Sequence, residues 1–247
     1  GSGAGNRQAR VRVAPEEISY TVVIEACSRK GDARGAAGWL EQMVASNFRS
    51  NVFAFNAVIA GFARKGRTDE AVGWFDKMIA EGLEPNVVSY TAVIDACAKA
   101  GDPAGAVRWF EAMLENGVTP NALSYNAVIN SYARLGETEE VSRWLDRMRA
   151  VMPPDEISYN TAIFGCANAR PPDADEAERL FKEMRAASLQ PTVSTLSALT
   201  SALGSRRRDA LCESLGVDVS KAVRHRPPPQ HRRVAPAAPD GALWREQ

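Results

Sequence analysis

Trp39, Trp74, Trp109 and Trp144 stand 35 residues apart, and Met43, Met78, Met113 and Met148 keep the same interval, as do Gly31, Gly66, Gly101 and Gly136. Three ladders in one phase make the chain an array of equal units, because each unit meets the same packing problem with the same residues. Tyr20, Phe55, Tyr90 and Tyr125 add a fourth ladder, followed by Tyr159 after 34 residues. The array divides into units 17–51, 52–86, 87–121, 122–155 and 156–192, then a degenerate sixth unit or cap over 193–221. Residues 1–16 read as a flank, the end of a preceding repeat or a linker, and 222–247 as a basic, Pro-rich disordered tail. The chain opens on Gly1 instead of Met, so it reads as a fragment whose targeting signal, if any, lies upstream.

Each unit carries the pattern of two short amphipathic helices. In 87–121, Val88, Val93, Ile94 and Cys97 favour one side of a first helix, and Gly101 supplies the left-handed residue on which helices commonly end. Asp102-Pro103 restarts the chain, with Pro103 suited to a first helical turn. Ala106, Trp109, Phe110 and Met113 then form an apolar stripe that stops near Asn116-Gly117, before Thr119-Pro120-Asn121. A single hairpin cannot bury both of its faces, so neighbouring hairpins must stack. The predicted fold is all-α, a right-handed α-solenoid superhelix of stacked helix-turn-helix repeats. The fifth unit has Leu180 for Trp, Arg170 for the turn Gly, and Pro171-Pro172, which predicts a longer turn between intact helices.

Composition narrows the function. Thirty Lys+Arg balance thirty Asp+Glu, and no apolar run approaches the ~20 residues needed to cross a bilayer. Cys27, Cys97, Cys166 and Cys212 are far apart, with no C-x-x-C pair and no His before His225 and His231, so neither a zinc site nor a disulfide scaffold has support. The repeat Trp, Met and Cys residues read as core, not as cofactor or redox groups. No cofactor and no metal are expected.

Period alone leaves two classes of helical hairpin open, those of 34 residues that usually bind peptides and those of 35 that more often bind RNA. Asn86-Val87-Val88-Ser89-Tyr90-Thr91-Ala92-Val93-Ile94-Asp95-Ala96-Cys97-Ala98-Lys99-Ala100-Gly101, followed by Ala106-Val107-Arg108-Trp109-Phe110-Glu111-Ala112-Met113, closely resembles the pentatricopeptide repeat of the 35-residue P type. The pattern recurs in Asn121-Ala122-Leu123-Ser124-Tyr125-Asn126 and Asp155-Glu156-Ile157-Ser158-Tyr159-Asn160, and the resemblance covers about 17–203. Tetratricopeptide repeats lack the polar residue after the aromatic and the Pro-Asx ending.

That resemblance implies sequence-selective binding of single-stranded RNA, one base per repeat. The family's scheme assigns base reading to Thr21 with Asn51, Asn56 with Asn86, Thr91 with Asn121, Asn126 with Asp155, and Asn160 with Thr192. Thr with Asn resembles an adenine reader, Asn with Asn a pyrimidine reader leaning to cytosine, and Asn with Asp a uracil reader; Asn160 with Thr192 departs from the common pairs and implies a weak pyrimidine preference. With chain and RNA parallel, the tract is 5′-A-(C/U)-A-U-(C/U)-3′. Any one of these Asn or Thr residues could simply cap a helix.

Ile18, Phe53, Val88, Leu123 and Ile157 open the first helices and, by the same resemblance, sandwich bases; ordinary core packing is the alternative. Arg29, Arg64, Lys99 and Arg134, followed by Asn168, end them and could meet phosphates or helix carbonyls. Residues 204–247 hold nine Lys/Arg against five Asp/Glu, and 1–16 three against one, so the neutral chain leaves a net of −6 on 17–203. Non-specific attraction of RNA is therefore weak. After Arg206-Arg207-Arg208 a short helix is predicted near 209–215; Trp244 has no assigned role.

No deaminase or nuclease signature follows the repeats, so the chain reads as a non-enzymatic monomer acting by occupancy in organellar RNA processing, stability or translation. The compartment, mitochondrion or chloroplast, and other RNA-processing proteins as further partners come from the resemblance alone. Two alternatives stay open: a scaffold whose groove holds an extended peptide, and the RNA-binding half of an enzyme whose catalytic domain lies outside the fragment.

Overall fold

The computed structural model describes residues 17–219. Twelve helices run through them in pairs: α1 Glu17–Arg29 with α2 Ala33–Ala45, α3 Val52–Ala63 with α4 Thr68–Ala80, α5 Val87–Ala100 with α6 Pro103–Glu115, α7 Ala122–Leu135 with α8 Thr138–Arg149, α9 Glu156–Asn168 with α10 Ala174–Ala186, and α11 Val193–Leu203 with α12 Ser205–Ser214. The odd-numbered helices stack on one another in a row, and each even-numbered helix packs on its own partner and, from α2 to α10, on the odd helix that follows. The result is an α-solenoid.

Local chemistry sets these boundaries. Gly31, Gly66, Gly101 and Gly136 all sit at positive φ, +64 to +82°. At each, the Gly N–H and the next residue's N–H fold back onto two carbonyls of the last turn, for instance Gly101 N–H to Ala98 O at 3.3 Å and Asp102 N–H to Cys97 O at 2.9 Å. This pairing satisfies helix-end carbonyls that would otherwise face nothing. In the fifth pair the chain runs through 169–173, yet Asp173 N–H still returns to Cys166 O at 3.0 Å, the counterpart of Asp102 on Cys97. The extra residues bulge outward and the helices keep their register.

The core runs along the array in two stretches of buried side chains that meet in the third pair, where Trp109 packs against both. In its middle the seam between pairs is aromatic: Phe75 lies 4.9 Å from the rings of both Tyr90 and Trp109, and Phe110 lies 4.8 Å from Tyr125 and 5.0 Å from Trp144. Each Phe thus locks onto two rings of the next unit, edge to face. Burial pushes the Cys97 thiol up to about 11 and the Cys166 thiol up to about 12, with Asp102 adding at the first and Asp173 and Glu176 at the second. Both act as small core residues.

Two expectations need correction. Trp39 is not core: it is 39% exposed and touches Tyr20 at 6.1 Å, because no second helix of a preceding pair covers it among the described residues. The final helix is not confined to 209–215 but starts at Ser205, directly after Gly204, and takes in all three arginines. The expected tail, His225, His231, the basic stretch 224–233 and Trp244 lie outside the described residues, as does the flank 1–16.

Candidate nucleic-acid interface

The residues closing each unit are helix N-caps. Asn51 Oδ1 accepts the Ala54 N–H at 2.9 Å, Asn86 Oδ1 the Val88 and Ser89 N–H groups, Asn121 Oδ1 the Ser124 N–H at 3.1 Å, Asp155 Oδ1 the Ser158 N–H at 2.8 Å, and Thr192 Oγ1 the Thr195 N–H at 3.3 Å. Capping is therefore real at all five positions. It also dictates orientation, since only an oxygen can accept these N–H groups, so the amide nitrogen of each capping Asn must point away from the helix.

Three of the five inferred pairs are joined directly. Asn56 Nδ2 donates to Asn86 Oδ1 at 3.2 Å, Asn126 Nδ2 to Asp155 Oδ1 at 3.3 Å, and Asn160 Nδ2 to Thr192 Oγ1 at 3.3 Å. Thr91 reaches Asn121 through Ser124, whose hydroxyl lies 2.8 Å from Thr91 Oγ1 and 3.1 Å from Asn121 Oδ1. The first pair is not joined. Thr21 Oγ1 instead donates to Glu17 O at 3.1 Å, and Asn51 makes only its cap bond.

The difference traces to a residue class that the sequence reading passed over, the third residue of each first helix. Ser89, Ser124, Ser158 and Thr195 are fully buried there, and each donor–acceptor hydroxyl closes a capping box with the closing residue three positions earlier. Ser89 also donates to Asn56 Oδ1 at 2.6 Å, and Thr195 donates to Asn160 Oδ1. The second repeat has Ala54 at this place, so no hydroxyl ties Thr21 to Asn51. The serine spacing, 35 and then 34 residues, was the signal available in the sequence.

The fourth pair differs in charge. Ser158 gives its proton to the Asp155 carboxylate at 2.8 Å, leaving Asn126 Oδ1 buried with no hydrogen-bond partner. Burial raises the Asp155 pKa, but the Ser158 N–H, the Ser158 hydroxyl and the Asn126 amide outweigh it and hold the carboxyl below its ordinary range.

Along the same edge, Ile18, Phe53, Val88, Leu123 and Ile157 are 52% to 72% exposed. Ordinary core packing is thereby excluded for this row. Val88 and Leu123 share an open cleft of about 420 Å³ with Thr91, Asn121 and Asn126, so an apolar wall and one of the polar pairs border one space.

The cationic row is mostly occupied by protein. Arg29 pairs with Glu25 at 2.5 Å, Lys99 pairs with Asp95, and Arg64 donates to Ser28 O at 2.5 Å and Ser28 Oγ at 2.6 Å. Asn168 repeats the Arg64 geometry, donating to Ala133 O at 2.9 Å on the preceding first helix. Arg134 is exposed and makes no ion pair among the described residues. Three of these cations thus already have protein partners: carboxylates one turn earlier draw two of them, and a helix-end carbonyl, one of the two expected partners, draws the third. Among the described residues no group of three or more His, Cys, Asp or Glu could hold a metal ion, and no helix is long and apolar enough to cross a membrane.

The sequence matches the PPR repeat family over residues 50–99 and 85–134, the PPR repeat over 18–48 and 123–150, and the pentatricopeptide repeat domain over 149–206. No curated protein matches it. Among solved structures it is similar to the pentatricopeptide repeat protein PPR10 from maize, at 32% identity and a TM-score of 0.64, covering 85% of this chain and 30% of that one. It is also similar to PPR10 in complex with an 18-nt psaJ RNA element, at 22% identity and a TM-score of 0.56, covering 82% and 35%. A third likeness is the PPR domain of protein-only RNase P 1 from Arabidopsis thaliana in complex with tRNA, at 18% identity and a TM-score of 0.57, covering 70% and 91%. The chain spans about a third of the length of PPR10. With repeats matched from residue 18 to 206, paired helices in the same arrangement and a polar couple closing each unit, the chain belongs to the pentatricopeptide repeat family.

Proposed function

We propose that this chain binds single-stranded RNA along the edge formed by its first helices, reading one base per polar pair, and that it acts by occupancy in organellar RNA processing, stability or translation. One observation carries the reading: helix capping consumes one oxygen of each closing residue and leaves the other polar atom for a ligand. For Asn51, Asn86 and Asn121 that atom is Nδ2, a donor; for Asp155 it is Oδ2, an acceptor. Adenine and cytosine present an unprotonated ring nitrogen at the centre of the Watson–Crick edge, and guanine and uracil present a ring N–H. Capping Asn therefore suits adenine or cytosine, and capping Asp suits guanine or uracil.

The first member of the pair sets ring size. Thr21 and Thr91 are short and leave room for a purine, whereas Asn56, Asn126 and Asn160 extend further and favour a pyrimidine. The fourth pair presents the second carboxylate oxygen of Asp155, an acceptor, in keeping with a base that donates. Thr192 has one oxygen and spends it on the cap, on Thr195 and on Asn160, so the fifth pair discriminates least. The tract is 5′-A-(C/U)-A-U-(C/U)-3′. The exposed apolar row supplies faces on which bases stack, a contact that tolerates any base. Similar pentatricopeptide structures were solved in complex with an 18-nt psaJ RNA element and with tRNA, which supports RNA as the ligand.

Fluorescence anisotropy of the full chain against an unstructured RNA containing ACAUU, and against GCGUU in the same flanks, tests the reading at fixed salt. Native protein favours ACAUU, with about 1 to 3 kcal/mol per mismatch. Asn51→Asp combined with Asn121→Asp replaces two donors with acceptors and reverses the preference. Unchanged preference in that variant, or no binding of either RNA, overturns the reading.

A further inference from the structure

Phe164 breaks the pattern of the first helices. The corresponding residues of the other units are Glu25, Ala60, Asp95, Asn130 and Ser201, none of them aromatic, and Phe164 is 44% exposed where they are charged, polar or small. It lines an open cleft of about 680 Å³ between α9 and α11, together with Asn160, Val193, Ser194, Ser197 and Ser201. No charged residue lines this cleft, whereas Asp95 lines the one beside Val88 and Leu123, and Glu25, Arg29 and Arg64 line the one beside Phe53. It continues the row of pairs, because Asn160 of the fifth pair forms part of its wall.

α11 itself carries no copy of the reading machinery. Ser194 stands where earlier first helices place Ile, Phe, Val or Leu, and Ser197 where they place Thr or Asn. What this end offers is an aromatic face, the Val193 side chain and three hydroxyls that donate or accept alike. A flat, polar-edged ring fits that chemistry without regard to which base carries it, and a carboxylate-free wall suits a phosphodiester chain better than the cleft holding Asp95.

We propose that the α9–α11 cleft holds the nucleotide on the 3′ side of the five-base tract, its base stacked on Phe164 and its edge against the serine hydroxyls, adding affinity with no sequence preference. The proposal rests on the RNA-reading function above and on the parallel polarity the family implies. It extends the footprint from five nucleotides to six.

The test is a titration of the full chain with ACAUU followed by A, C, G, U or an abasic residue, and with the same additions placed on the 5′ side. In native protein a 3′ base tightens binding about fivefold or more over the abasic residue, to a similar degree for all four bases, and a 5′ base does not. Phe164→Ala removes that gain while ACAUU remains preferred over GCGUU, and Phe164→Trp retains it. The half-exposed side chain makes Phe164→Ala compatible with folding, checked by helical circular dichroism. A gain that persists in Phe164→Ala, that appears only on the 5′ side, or that is missing in native protein which still prefers ACAUU, overturns this inference alone. Absence of binding to either tract overturns the RNA reading and this proposal together.

Discussion

The seam between the third and fourth units and the seam between the first and second are built to one plan from different residues. In the middle, Phe110 inserts between Tyr125 and Trp144, and Ser124 bridges Thr91 to Asn121. At the N-terminal seam, Leu40 replaces the Phe, Ala54 replaces the Ser, and Thr21 and Asn51 are not connected. Two devices therefore tie neighbouring units, an aromatic clasp in the core and a hydroxyl bridge at the groove edge, and the array keeps its form where both are missing. Backbone capping and helix stacking suffice for the fold, and the clasp and the bridge add rigidity where pairs must be held in register.

Removing the clasp has the largest expected effect. Phe110 is fully buried, and Phe110→Ala costs about 3 to 5 kcal/mol through lost burial and an unfilled cavity. Phe110→Leu, which converts the middle seam to the kind that Leu40 makes, costs less, roughly 1 to 2 kcal/mol, because it removes only part of the buried volume. Urea unfolding of the two variants measures the gap, and equal losses would mean that the ring contacts, not the apolar volume that Leu retains, hold this seam.

Next comes the turn glycine. A methyl group on Gly136 would lie 2.7 Å from the Ala169 backbone at φ +75°, whereas one on Gly31 meets nothing within 4 Å at φ +82°. Both substitutions carry the left-handed penalty of about 1 to 2 kcal/mol, and Gly136→Ala adds a backbone clash. Thermal denaturation should rank Gly136→Ala well below Gly31→Ala; a tie would show that the helix ends are free to part there.

The hydroxyl bridge is smaller still. Ser89→Ala leaves Asn56 Oδ1 without its donor and costs about 1 to 3 kcal/mol. The reverse change, Ala54→Ser, supplies the missing bridge between Thr21 and Asn51 and stabilises by about 0.5 to 1 kcal/mol. Chemical denaturation reads both, and a destabilised Ala54→Ser would mean that the first pair is set by something other than that hydroxyl.

The smallest effect concerns pH. Asp155 has a folded pKa below its unfolded value, so its contribution is fully present above the ordinary carboxylate range and is lost as pH falls through the depressed folded value. Stability of native protein relative to Asp155→Asn should therefore be level from pH 7 to about pH 5 and decline below roughly pH 4. A difference that grows between pH 5 and 7 would contradict the assignment.

Much of this was legible in the primary structure because it rests on local rules. Gly101 and its relatives announce the helix ends, and the Pro171-Pro172 insertion announces a longer turn, which the chain absorbs by returning Asp173 to the same carbonyl that Asp102 uses in the third unit. The pairs were found only through resemblance, and the serines between them were missed, since a buried hydroxyl and an exposed one read alike in a string of letters. Trp39 differs for the opposite reason: a tryptophan in a ladder is core only if a preceding unit packs over it, as the first unit's Leu40 stands before the buried Trp74.

The amino-acid sequence by itself determined the unit, its period, the two helices and the residues that cap them, because hydrogen bonds within a few residues and a 3.6-residue stripe need no distant partner. Only the tertiary structure decided which side of each cap faces outward, which cations are already paired, and that Phe164 opens onto a cleft. Those outcomes depend on side chains brought together from units some 30 to 36 residues apart, as in Asn56 with Asn86 and Arg64 with Ser28, and on competition among several acceptors for one donor.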